Sequence, residues 1–143
     1  MDIDFLRNVS LFKGLNEEGL KALAELCFTR KFAKEGVIIL AEQEGDTLFI
    51  IREGQVKVCI SSEEGREVIL SLLGPGAVFG ELALLDGKLR SANVVATDDT
   101  SLVMLRRSDF QQLIYKTPEF AKALLAELAG RLRRTDRQIE GLA

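Results

Sequence analysis

The sequence predicts a mainly β fold: a double-stranded β-helix, or jelly-roll barrel, with helices on either side of it. Two observations carry this prediction. Between Thr29 and Arg106, short β-prone runs alternate with glycine-containing turns, a pattern typical of all-β barrels rather than of βαβ units. Before and after this stretch, apolar residues recur at helical spacing. We therefore expect one domain of 143 residues, with a helical lead-in over 1–28, a barrel over 29–106 and helices over 107–143.

The composition is that of an ordinary globular protein, with 47% hydrophobic and 29% charged residues. No apolar run approaches the ~20 residues that span a bilayer, and the first residues lack the basic start of a signal peptide. We expect a cytoplasmic protein that has no membrane partner. The net charge of −3 also predicts no overall basic surface for nucleic acid.

The chain contains no histidine, which removes His-ligated zinc and haem, the Ser–His and Cys–His catalytic pairs, and the commonest general base. Cys27 and Cys59 lack the spacing of a metal or redox motif, so we expect both to be buried packing residues. The sequence therefore predicts no enzyme, no cofactor and no metal. A cupin-type metalloenzyme is the alternative, although such metal sites generally need histidines beside a carboxylate.

The helical regions begin at recognisable residues. Residues 1–26 have helical spacing, and Asn16 is the expected N-cap of a helix over 17–26, in a region that we expect to cover the core as a lid. After the barrel, Ser108 with Gln111 three residues later predicts a capping box. Thr117 before Pro118 then predicts the start of a long helix that runs over 118–142.

The barrel strands are expected between the glycine-rich turns. Gly54 is predicted to sit in a hairpin between two neighbouring strands. Val56, Val58 and Ile60 alternate with polar residues or cysteine, so one face of their strand should line the barrel interior. The expected strands cover residues 29–33, 37–41, 47–52, 55–61, 68–73, 77–79, 90–96 and 100–106.

The long C-terminal helix carries a regular apolar seam. Its members recur at alternating spacings of three and four, and they are Leu125, Leu128, Leu132, Thr135, Ile139 and Leu142. This spacing is that of a two-stranded coiled coil, so we expect a homodimer whose dimerisation helix begins at about residue 118. Packing onto the chain's own core is the alternative, and it can account for Phe120 and Leu124.

The stretch over 79–92 has the residue types that hold a phosphate. Gly80 allows close backbone approach, and the residues after it supply N–H donors at a helical turn. Arg90 adds a charged fork, and Glu81 can accept hydrogen bonds from a ribose hydroxyl. Strand alternation sends Arg90 and Ser91 to opposite faces, so Ser91 must act through its backbone or an irregular strand. The alternative is a Glu81–Arg90 ion pair that closes a turn without a ligand.

Residues 80–85 followed by Arg90, Ser91 and Ala92 resemble the phosphate-binding cassette of cyclic nucleotide-binding domains. The turns over 44–46, 53–56 and 74–76 match structural glycines of the same family. The order of lead-in helices, barrel and long helix resembles the sensor half of the catabolite activator protein and fumarate–nitrate regulator family of bacterial transcription factors. The resemblance implies a binding module whose ligand is a cyclic nucleotide, with cyclic AMP favoured over cyclic GMP.

The resemblance also implies roles for individual residues. Backbone groups around Glu81, Leu82 and Ala83, with Arg90 and Ser91, would hold the cyclic phosphate. Glu81 would also bind the ribose 2′-hydroxyl. The remaining members of the implied pocket are Val58 and Leu73 in the barrel, Thr135 at the adenine ring, and Arg131 and Leu132 beside it.

Two departures from the family pattern affect these expectations. Asp136 stands where the catabolite activator protein has a serine that reaches the nucleotide of the other subunit. The sequence also stops before the helix-turn-helix domain of the family, so we expect DNA contact only through a missing domain. A fragment of a longer regulator and a free-standing domain both fit. A structural dimerisation domain with an empty or different-ligand pocket is the alternative function.

Overall fold

The computed structural model describes residues 2–41, 45–80 and 92–142, and for residues 131 and 134–142 it describes the backbone alone. The chain divides into two compact units. Residues 25–110 form one unit, which we call the barrel unit. Residues 2–24 together with those from 111 onward form the other, which we call the helical unit.

The described part of the barrel unit contains two four-stranded antiparallel sheets, in the orders β1-β8-β3-β6 and β2-β7-β4-β5. The two sheets confirm the predicted jelly-roll class, and each strand lies close to its expected position. Of the expected strand over 90–96, residues 90 and 91 lie outside the described residues, and β7 begins at Asn93 because Ala92 is not part of the strand. The strands are β1 Phe28–Phe32, β2 Val37–Ile39, β3 Thr47–Glu53, β4 Val56–Ser61, β5 Glu67–Leu73, β6 Val78–Phe79, β7 Asn93–Ala96 and β8 Thr100–Arg106.

The hairpin that was predicted at Gly54 is wrong, because β3 and β4 belong to different sheets. The chain crosses from one sheet to the other at Gly54, whose φ is +97°. A Cβ atom there would lie 2.5 Å from the Thr100 Oγ1 atom, so only glycine fits this crossing. The antiparallel pairing instead joins β4 to β5, with Gly65 in the connecting turn.

The barrel core lies between the two sheets. Val56 is fully buried and Val58 packs against the core, as the alternation predicted. Ile60 is 37% exposed and Cys59 is buried, so the predicted alternation holds only as far as Val58. The buried members of this core are Ile39, Phe49, Ile51, Val56, Phe79, Val94, Leu102 and Met104.

The cysteines are both free thiols. Cys59 is buried, as predicted, whereas Cys27 is only half-buried. Burial raises the pKa of the Cys27 thiol to about 12, which keeps it protonated at neutral pH.

The lead-in contains α1 Ile3–Arg7, a 3₁₀ turn Ser10–Phe12 and α2 Glu17–Leu26. The predicted cap of α2 is confirmed, because the Gly19 N–H donates to Asn16 Oδ1 at 2.8 Å.

The C-terminal helices are α3 Arg107–Lys116 and α4 Pro118–Leu142. The prediction that Ser108 is the N-cap is wrong, because α3 already begins at Arg107 and Ser108 lies inside the helix. β8 runs directly into α3, and the Arg107 N–H donates to the Asp46 carbonyl at 2.8 Å. The predicted start of the last helix at Pro118 is confirmed, and α4 is 25 residues long.

Within the helical unit, α4 packs against the 3₁₀ turn. Phe120 and Leu124 are buried, and the ring of Phe120 lies 6.1 Å from that of Phe12. A Cβ atom on Gly14 would overlap Ala123, so the helix passes close to the backbone at Gly14. Phe120 and Leu124 therefore pack onto the chain's own core, which was the alternative to a partner helix for these two residues.

Candidate functional site

The predicted phosphate cassette begins at Gly80, which follows β6 directly and has a φ of +86°. This left-handed conformation favours glycine, so the residue type and the backbone agree. The residues that follow lie outside the described residues. They include five of the predicted binding residues: Glu81, Leu82, Ala83, Arg90 and Ser91.

The chain before the cassette is held by β3. Phe79 pairs with Phe49, and Val78 pairs with Ile50. The two phenylalanine rings stack with their centroids 5.0 Å apart and an interplanar angle of 8°. The last residue before Gly80 is therefore anchored in the sheet β1-β8-β3-β6.

The chain after the cassette is held by β4. Asn93 opens β7 and pairs with Cys59, and Val94 pairs with Val58. The Asn93 side chain also accepts a hydrogen bond from the Ala41 N–H at 2.7 Å. Residues 81–91 thus connect the two sheets of the barrel, and the chain beyond them pairs with the strand that carries Val58.

Val58 and Leu73, two predicted pocket residues, are brought together on the inner face of β4 and β5. Both are partly buried against the barrel core. Leu73 pairs with Val56, and Val58 pairs with Ser71. Because directly paired residues of an antiparallel ladder share a face, the exposed Ser71 hydroxyl lies on the same side as Val58.

Ser71 is a candidate that the sequence reasoning missed. Only the pairing of β4 with β5 identifies Ser71, because the pattern within one strand does not show which residue lies opposite on its neighbour. Strand alternation marked Val58 as inward-facing, but the bulge beside Leu70 decides which β5 residue stands opposite it.

The strand β5 is unusual because it is apolar and exposed. It forms one edge of its sheet, and only Leu73 among its seven residues is half-buried. Its exposed apolar side chains are Val68, Ile69, Leu70 and Leu72. This side of the barrel unit is therefore open.

The predicted residues on α4 are placed only in part. Thr135, Arg131 and Asp136 lie within the helix, but their side chains are outside the described residues. The same holds for two seam residues, Ile139 and Leu142. The described seam residues are largely accessible: Leu125 is 68% exposed, Leu132 is 65% exposed and Leu128 is half-buried.

One ion pair links β4 to β5. The Lys57 Nζ atom lies 2.6 Å from Glu67 Oε1, and this hydrogen bond lowers the pKa of Glu67 and raises that of Lys57. Lys57 alternates with Val56 and Val58, so the pair lies on the outer face of the sheet. It is therefore separate from the predicted pocket.

The described residues contain neither a cluster of metal-binding side chains nor a membrane-spanning helix. No three cysteine, aspartate or glutamate side chains of 2–41, 45–80 and 92–130 cluster as metal ligands would. No helix within the described part of the chain is long and apolar enough to cross a membrane.

Comparison with known proteins places these features in a family. A family model described as a cyclic nucleotide-binding domain matches residues 29–117. The Cyclic AMP receptor protein of Thermus thermophilus is 38% identical over 139 residues, which cover 96% of this chain and 64% of that protein. The human cGMP-dependent protein kinase 2 is 35% identical over 135 residues, which cover 93% of this chain and 18% of the kinase.

A solved structure is similar over its whole length. The N-terminal domain of a transcriptional regulator from Streptomyces coelicolor A3(2) has a TM-score of 0.82 and 34% identity, and the match covers 95% of each chain. The chain spans less than two thirds of the length of the curated relatives above. The predicted resemblance is confirmed: this chain belongs to the cyclic nucleotide-binding domain family, and it resembles the sensor domains of bacterial regulators of the catabolite activator protein type.

Proposed function

We propose that this chain is a cyclic AMP-binding, non-enzymatic sensor domain of a cytoplasmic transcription regulator. The observation that carries the proposal is the family match over 29–117, which contains both strands beside the cassette and the cassette itself. The barrel offers a matching surface, since Val58, Leu73 and Ser71 lie together on the inner face of β4 and β5.

In this proposal the cassette binds the charged part of the ligand. N–H groups after Gly80 and the Arg90 guanidinium hold the cyclic phosphate, because fixed donors and a bidentate cation stabilise a phosphate anion. Ser91 assists them, and the Glu81 carboxylate accepts a hydrogen bond from the ribose 2′-hydroxyl. Binding of a single phosphate by these groups needs no overall positive charge, which agrees with the net charge of −3.

The base is bound by the barrel strands and by α4. Val58 and Leu73 supply apolar contact, and Ser71 and Thr135 supply hydroxyls that can donate to or accept from a ring edge. Cyclic AMP is the first choice because the bacterial relative with 38% identity is named for it. Cyclic GMP is the competitor, since a kinase named for that nucleotide is 35% identical.

Calorimetric titration of the purified domain with cyclic AMP and with cyclic GMP tests this assignment. We expect saturable heat with both or with cyclic AMP alone, and tighter binding of cyclic AMP. Arg90→Ala should abolish measurable binding, because the phosphate loses the guanidinium that binds it with paired hydrogen bonds. Arg66→Ala is the matched control: this arginine is 83% exposed in the β4–β5 turn, and its removal should leave binding unchanged. The absence of heat with either nucleotide would overturn the proposal.

We further propose that α4 forms a two-helix seam with a second copy and relays ligand binding to it. The helix buries Phe120 and Leu124 within its own unit, yet Leu125 and Leu132 remain largely exposed. Two exposed leucines at heptad spacing fit a partner helix. A ligand that contacts both the cassette and Thr135 would favour one arrangement of the helices, and in a longer regulator this would reposition a DNA-binding domain.

Sedimentation of the domain tests the seam. We expect a dimer, which Leu132→Lys should convert to monomer because a charge in the seam lacks a partner. Tyr115→Lys, at an 85% exposed position on α3, is the matched control and should leave the dimer intact. A dimer whose melting temperature no cyclic nucleotide raises would instead favour the alternative, a structural dimerisation domain.

A further inference from the structure

The stacked pair of Phe49 and Phe79 is unusual in its position. Both side chains are buried, with 5% and 6% of their surface exposed, and both belong to the barrel core. Phe49 lies in β3, which pairs with both β8 and β6. Phe79 is the last residue before the left-handed Gly80. The pair therefore joins a central strand of the barrel to the first residue of the predicted cassette.

The backbone alone holds this segment weakly. β6 contains only Val78 and Phe79, so its ladder with β3 is short. Two further hydrogen bonds hold the residues before β6: the Ile51 N–H donates to the Ala77 carbonyl at 2.9 Å, and the Gly76 N–H donates to the Ile51 carbonyl at 2.8 Å. Both involve Ile51, at the end of the segment remote from Gly80. At the Gly80 end, the ring stack adds a second attachment.

A stack at this place controls where the cassette starts. Rings at 5.0 Å with an 8° interplanar angle are within the favourable range for aromatic pairs, whose attraction adds to the effect of burial alone. Gly80 has no side chain to lock its own backbone. Phe79, the last residue before Gly80, is therefore positioned both by its short ladder with β3 and by its ring stack on Phe49.

We propose that Phe49 and Phe79 form a positioning pair that sets the nucleotide affinity of the cassette without touching the nucleotide. The inference rests on the proposed function of the cassette and adds two residues to it. Donors that bind a phosphate must be held in place before the ligand arrives, and packing behind them provides this. Loss of the stack lowers the affinity by more than the accompanying loss of core packing explains.

The test compares Phe79→Leu, Phe49→Leu and the double variant with Leu102→Ala. Leu102 is a matched control, since it is fully buried in the same core but lies on β8, away from Gly80. Leu102→Ala should lower the melting temperature at least as much as either phenylalanine variant, because it leaves a cavity. Two quantities are measured on each protein: the cyclic AMP Kd, and hydrogen exchange of the ligand-free chain over 80–92.

Each phenylalanine variant is expected to raise the Kd by about five- to tenfold. The double variant should bind within about twofold of the weaker single variant, because either substitution removes the same stack. Leu102→Ala should bind within about twofold of the wild type. Exchange over 80–92 should become faster in the phenylalanine variants than in Leu102→Ala.

Two results would overturn the positioning role: an unchanged Kd in both phenylalanine variants, or an equal rise in Leu102→Ala. Absence of binding by the wild type would instead refute the proposed function. In that case the exchange comparison still decides the positioning role, and equal exchange in Phe79→Leu and Leu102→Ala would refute that as well.

Discussion

The strands β3 and β5 are equally long and similarly apolar, yet they are in opposite environments. All residues of β3 from Thr47 to Ile51 are buried. In β5, six of the seven residues are exposed, and the exposed fractions of Val68, Ile69, Leu70 and Leu72 lie between 42% and 57%. The difference follows from sheet position, because β3 pairs on both sides with β8 and β6, whereas β5 is an edge strand.

The contrast indicates different roles for the two strands: β3 supports the cassette, and β5 is available to the ligand. A strand buried on both faces fixes the positions of its neighbours, and β3 carries Phe49, which stacks on the residue before the cassette. Exposed apolar residues in an edge strand are a liability unless something covers them. We propose that the inner face of β5, where Ser71 lies beside Val58, is left open for the ligand, whereas Leu72 pairs with Lys57 and lies on the outer face. The predictions below test the two roles separately.

The largest effect is expected in the buried strand. Ile51→Ala should lower the free energy of unfolding by about 2–5 kcal/mol, because Ile51 is fully buried in the barrel core. Leu72→Ala, in the exposed strand, should change it by no more than about 0.5 kcal/mol. Urea unfolding of both variants measures the difference. Equal losses would show that β5 is covered in solution and would end the comparison.

The connections β3–β4 and β4–β5 differ in the same way as the two strands, because Gly54 is crowded and Gly65 is exposed. Gly54→Ala should cost about 2–4 kcal/mol, since the new methyl group meets Thr100 and the φ of +97° is strained for alanine. Gly65→Ala is the matched control: its φ is +79°, but no atom lies within 4 Å of the new Cβ. It should cost only about 1 kcal/mol. Thermal or urea unfolding distinguishes the two, and a larger loss at Gly65 would contradict the crowded crossing at Gly54.

The smallest effect concerns the ion pair that ties β4 to β5. The pKa of Glu67 is lowered by Lys57, so the carboxylate contributes stability above its unfolded pKa and loses it as the pH falls through the folded pKa. The small difference in stability between the wild type and Glu67→Gln should therefore be present at neutral pH and vanish in acid. Unfolding curves at several pH values measure it. A difference that grows on acidification would have the wrong sign.

The sequence predicted the barrel class, the positions of its strands along the chain and the long helix, because periodicity and glycines are local signals. The prediction of a hairpin at Gly54 was wrong, because a tight hairpin and a crossing between two sheets use the same kinds of residue. It overlooked Ser71, Phe49 and Phe79 for a related reason: their partners are distant in sequence, and only strand register brings them together. It also could not distinguish β3 from β5, because both strands are similarly apolar and only their places in the sheets differ.

Hydrogen exchange of the wild type with and without saturating cyclic AMP tests the central claim most directly. If the nucleotide binds between the cassette and the open strand, exchange slows in the peptides that cover Glu67–Leu73 and residues 80–92. Exchange in β3 should stay the same, because that strand is already buried. If cyclic AMP leaves both peptides unchanged, the account of β5 and the cassette as the binding surface is contradicted.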